Sequence, residues 1–110
     1  MDDSRARQLL AAERRRITNE ASTLGFEPSD DLSTTDLADS ASNLYQDEVD
    51  QGRLDDLHSQ LAALERAEER LQRGAYGRSV ESDEPIPDER LEIVPTAERT
   101  EGEQARYEGR

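Results

Sequence analysis

The chain has 110 residues, with 14 Lys+Arg against 27 Asp+Glu for a formal charge of −13, and every cation is Arg. Leu, Ile, Val and Phe together make up only about 17% of it, below the roughly 20% at which a strongly charged composition turns toward disorder. A broad core of α/β-enzyme type is excluded; a helical hairpin with a narrow apolar seam, or a largely unfolded chain, remains.

Cysteine is absent, which removes disulfides and thiolate metal sites. No apolar run approaches the ~20 residues that cross a bilayer, and no cationic-then-apolar leader opens the chain. These features point to a cytoplasmic protein. Its acidic balance disfavours direct contact with nucleic acid or anionic lipid, because phosphate contacts need cations. A basic protein surface is the favoured partner.

Residues 3–24 read as a first helix: Leu10, Ile17 and Leu24 recur every seven positions, with Ala6, Leu9 and Ala21 beside them. Asp2, Asp3 and Ser4 suit its start, and Gly25 suits its end. Residues 25–35 read as a connection around Pro28, in which Ser33, Thr35 or Asp36 are alternative caps for the next helix. The Arg14-Arg15-Arg16 run reads as a solvated helix face, or as a contact with acidic residues.

Residues 36–73 read as one longer helix. Leu54, Leu57, Leu61, Leu64 and Leu71 give a strong 3–4 pattern, whereas Leu37, Ala41, Leu44, Tyr45 and Val49 give a weaker one. The phase slips near Gly52, where Gly costs about 1 kcal/mol relative to Ala. Gly74 ends the run. Folded back antiparallel, helix 1 is expected to cover residues 36–57. Leu61, Leu64 and Leu71 are then left for the chain beyond residue 75. His58, alone of its kind, builds no metal site. Pro85, Pro87 and Pro95 forbid a continuous helix in 75–104 and favour short extended pieces, with a turn of helix at 87–91. Residues 105–110 read as a frayed tail.

The stretch from Leu64 runs Leu-Glu-Arg-Ala-Glu-Glu-Arg-Leu-Gln-Arg-Gly-Ala-Tyr-Gly. Then come Pro85-Ile86-Pro87, Arg90-Leu91-Glu92, Pro95-Thr96-Ala97 and Gln104. Over residues 35–104 this resembles the DksA/TraR family of RNA polymerase-binding transcription regulators. The resemblance implies a mainly α fold, with an antiparallel helical hairpin over 1–74 and its tip at 25–41. A small zinc-finger lobe spans 75–104, and a tail ends the chain. The family's four zinc-finger cysteines fall on Ser79, Ser82, Thr100 and Glu103. Serine and threonine hydroxyls stay protonated near neutral pH and ligate zinc poorly, so no zinc is expected. Without metal, the lobe must dock its apolar side chains on Leu61, Leu64 and Leu71 or remain loose.

Asp36-Leu37-Ala38-Asp39-Ser40-Ala41 matches the family's Asp-x-x-Asp-x-Ala tip, which implies that Asp36, Asp39 and Ala41 contact RNA polymerase inside its secondary channel. Some relatives act with the alarmone ppGpp and others do not. Read from the residues alone, two carboxylates at i and i+3 share a helix face and suit Arg or Lys of a partner, or simply a helix start. No nucleophile–base pair, phosphate loop or ligand set points to an enzyme. The expectation is a monomeric, non-enzymatic polymerase-binding regulator without a cofactor. A coiled-coil interaction protein that has lost the polymerase role is the alternative.

Overall fold

The computed structural model describes residues 1–26, 32–41 and 51–109. The protein is mainly helical. Its helices are α1 (Asp3–Thr23), α2 (Thr34–Ala41), α3 (Gln51–Gln72), α4 (Asp88–Ile93) and α5 (Glu101–Tyr107). The only β pairing among the described residues is an isolated antiparallel bridge, Arg78 with Pro85. No helix among them is long and apolar enough to cross a membrane. Two compact units divide the chain: Met1–Leu10 with Arg66–Arg110, and Ala11–Glu65.

The two long helices end where glycine allows it. The Gly25 and Gly74 backbones adopt φ of 98° and 75°, which side-chain-bearing residues avoid. At each end, paired hydrogen bonds absorb the last carbonyls. Phe26 N–H reaches the Ala21 carbonyl at 3.2 Å, and Gly25 N–H that of Ser22 at 3.2 Å. Ala75 N–H reaches Arg70 at 2.8 Å, and Gly74 N–H reaches Leu71 at 3.1 Å, which is the same Schellman closure.

Within residues 11–65, the buried apolar side chains are Ile17, Ala21, Phe26, Leu32, Leu37, Leu57, Leu61 and Leu64. Two hydrogen bonds set the register of α1 on α3. Arg16 Nη2 donates to Gln60 Oε1 at 2.6 Å, and Arg53 Nη2 donates to Thr23 Oγ1 at 3.1 Å. Position rises along one helix as it falls along the other. Helix 1 therefore runs along α3 past residue 57, the expected limit of its contact. The physical reason lies in the seam: the continuous leucine pattern of α3 offers more apolar area than the weaker stretch before Gly52. The expected single helix over 36–73 is described as α2 and α3. Leu44, Tyr45 and Val49 lie outside the described residues.

Residues 66–110 build their own small core from Ile86, Leu91 and Ala97, with Tyr76 against it. Tyr76 OH donates to the Pro95 carbonyl at 2.7 Å, and burial pushes its phenol up to about 12. This cluster gives the lobe an apolar centre of its own. Helix α4 sits where a turn of helix was expected. Helix α5 runs through residues 105–107 of the expected tail, and Arg99 places its guanidinium 3.8 Å from the centre of the Tyr107 ring.

Candidate functional site

Two places concentrate the sequence-derived candidates. The first is the start of α2. Ser33 is the cap: its Oγ accepts from Asp36 N–H at 3.1 Å, and its carbonyl accepts from Leu37 N–H at 2.9 Å. Of the three candidate caps, the structure selects this one. Asp36 is exposed in the first turn. Asp39 and Ala41 belong to the same helix, and their side chains lie outside the described residues.

This start is fastened sideways. Thr34 donates its N–H to Glu65 Oε2 at 3.1 Å and its hydroxyl to Glu65 Oε1 at 2.9 Å. Arg14 Nη1 donates to the Leu32 carbonyl at 2.7 Å. Arg14 is thus anchored in the fold, while Arg16 binds Glu13 and Gln60. The contact at Arg14 lies about 13 Å short of the end of α1, at ~1.5 Å per residue. Asp36 therefore stands on a flank of the α1–α3 pair, not beyond its end. His58 is exposed on α3.

The second place is where Ser79, Ser82, Thr100 and Glu103 meet. Ser79 and Glu103 are buried, at 5% and 6% exposure. Thr100 caps α5 in a reciprocal box. Glu103 N–H reaches Thr100 Oγ1 at 3.3 Å, and Thr100 N–H reaches Glu103 Oε1 at 2.9 Å. The hydroxyls of Ser79 and Ser82, then the Thr100 N–H, hold the Glu103 carboxyl down to about 2, against the opposing effect of burial. Ser79 Oγ also accepts from the N–H groups of Glu81 and Ser82, at 3.1 and 3.2 Å. A tight turn with Asp83 at φ 61° closes this loop, with Ser79 N–H on the Glu84 carbonyl at 2.8 Å. Val80 N–H reaches the Glu98 carbonyl at 2.8 Å and ties the turn to the segment before α5.

These four side chains do not suit zinc. Three are hydroxyls, and the one carboxylate already accepts from the Thr100 N–H. Among the described residues no three or more His, Asp or Glu side chains are gathered for a metal ion. The arrangement is a reciprocal Thr100–Glu103 cap on α5, with the Ser79 and Ser82 hydroxyls favouring the ionised Glu103. Reading 105–110 as a tail missed α5, although Thr100-x-x-Glu103 carries the capping-box signature openly.

A neighbouring network was not expected. Glu98 accepts from Arg66 Nη2 at 3.0 Å and from Arg70 Nη1 at 3.3 Å. Arg70 is buried, and its Nε and Nη2 have no hydrogen-bond partner. Burial lowers its pKa, against the attraction of Glu98. Comparison of the chain with family models, with curated proteins and with solved structures finds no match.

Proposed function

We propose that this protein is a non-enzymatic transcription regulator of DksA/TraR type that binds RNA polymerase at its secondary channel. In this reading α1 and α3 form an antiparallel helical hairpin, and Asp36, Asp39 and Ala41 supply the contact. Residues 75–104 are a degenerate zinc finger, closed by Glu103 instead of a metal. The observation that carries the reading is convergence. Four positions that the resemblance assigns to cysteine come together: Thr100 and Glu103 bond reciprocally, and the Ser79 and Ser82 hydroxyls lie near enough to lower the Glu103 pKa. Because α2 begins on a flank, the acidic contact is made by the side of the helical pair.

That same feature favours a second reading. Glu65 and Arg14 fasten the start of α2 in place, as suits a coiled-coil interaction protein that has lost the polymerase role. A photocrosslinker at position 36, irradiated with purified bacterial RNA polymerase at micromolar protein and low salt, separates the two. The expected result is an adduct within the secondary channel; no adduct at all leaves the second reading standing. Asp39→Asn is expected to reduce the transcriptional effect more than binding, and equal loss of both contradicts a role near the catalytic centre.

A further inference from the structure

Between α4 and the turn into α5 lies a groove of about 650 Å³, walled by Pro85, Pro87, Ile93 and Val94 and rimmed by Glu89 and Glu101. We infer that this groove docks a basic segment of a partner protein, taking one aliphatic side chain beside Ile93 and setting Arg or Lys against the two carboxylates. The inference does not depend on the partner being RNA polymerase.

Ile93 is the anomaly that points here. It is 81% exposed, whereas Ile17 and Ile86 are 1% and 3% exposed. Val94 beside it is 38% exposed. In a chain this poor in large apolar residues, two adjacent ones left uncovered at a groove are an unused hydrophobic contact. Their frame is firm: Leu91, two residues before Ile93, is buried in the lobe core, and Arg90 Nε donates to the Arg99 carbonyl at 3.0 Å, tying α4 to the segment before α5.

Charge decides the occupant. Of the acidic residues on α4, Glu92 engages Arg5 at 2.8 Å and Asp88 engages the terminal ammonium at 3.2 Å. Glu89 and Glu101 have no ion-pair partner among the described residues, so the rim presents two uncommitted carboxylates, with the guanidinium of Arg90 in the lining and that of Arg106 beside Gly102. A second copy of this chain, itself at −13, meets repulsion there, as do nucleic acid and an anionic bilayer. A cationic segment with a protruding Leu, Ile or Val meets attraction at the rim and apolar surface at the centre.

The test titrates the full ¹⁵N-labelled chain with an end-blocked peptide Gly-Arg-Leu-Leu-Arg-Gly, and with versions carrying Glu for Arg or Gly for Leu. Amide shifts concentrated at 85–102 with the first peptide, and lost with either control, are the expected result. Ile93→Ser, at an exposed position, is expected to weaken binding about tenfold with helix content unchanged. Glu89→Gln with Glu101→Gln is expected to weaken it and flatten its salt dependence. Shifts scattered over the acidic surface and indifferent to Ile93→Ser overturn the proposal, as does no response at about 5 mM peptide. A concentration-dependent dimer that Ile93→Ser abolishes overturns it in favour of a second copy.

Discussion

Glu103 is a buried anion whose charge is satisfied by dipoles and not by a cation. The Ser79 and Ser82 hydroxyls and the Thr100 N–H favour its ionised form, so its folded pKa of about 2 lies below the roughly 4.3 of an unfolded glutamate. Such a group adds stability that is complete above the unfolded value and is lost as pH falls through the folded one. The lobe is expected to loosen between about pH 4.3 and 2. Glu103→Gln should flatten that dependence in an acid titration followed by tyrosine fluorescence. Arg70 poses the opposite problem, a buried cation leaning on Glu98 alone. Glu98→Ala removes its counter-charge and is expected to cost about 3 kcal/mol in urea unfolding. Arg70→Met, which keeps the volume and removes the charge, should cost far less.

At the scale of elements, caps decide what the apolar pattern leaves open. Helices α1 and α3 were legible because leucine and isoleucine recur at helical spacing and a glycine follows each. The turn of helix after Pro87 was legible for a similar local reason. Helix α5 was not, because Glu-Gly-Glu-Gln-Ala-Arg-Tyr has no apolar stripe and one glycine. It is held by tertiary contacts, through Glu103 inward and Arg99 against Tyr107. Thr100→Ala is therefore expected to cost about 1 kcal/mol and to unwind α5 selectively, seen as lost amide-exchange protection at 103–107. The partner of α1 was also illegible. Periodicity shows which face of a helix is apolar but not which other face it meets, and two candidate seams, one on either side of Gly52, competed for it. The sequence left Asp36 open as a cap or a first-turn residue; it stands in the first turn of α2, and its lateral position depends on Glu65 and Arg14, which no local pattern announces.

For the molecule as a whole, charge is the dominant strain. A net −13 on 110 residues repels itself on compaction, while the exposed pairs such as Arg16 with Glu13 each contribute little. Raising NaCl from about 10 mM to 0.5 M shortens the screening length to a few ångströms, so the thermal midpoint is expected to rise by about 5 °C. A fall instead would mean that the ion pairs outweigh the repulsion.

The first ten residues belong with the C-terminal 45, and both long helices pass uncut through the two compact units. The boundaries between the units, after residues 10 and 65, therefore fall inside α1 and α3. Truncation after residue 65 would strip Ala6, Leu9 and Leu10 of their cover, and expressing 66–110 alone would omit the stretch of sequence that shields it. Any attempt to assign activities to halves by deletion will report on damaged protein, and point substitution is the instrument this topology permits.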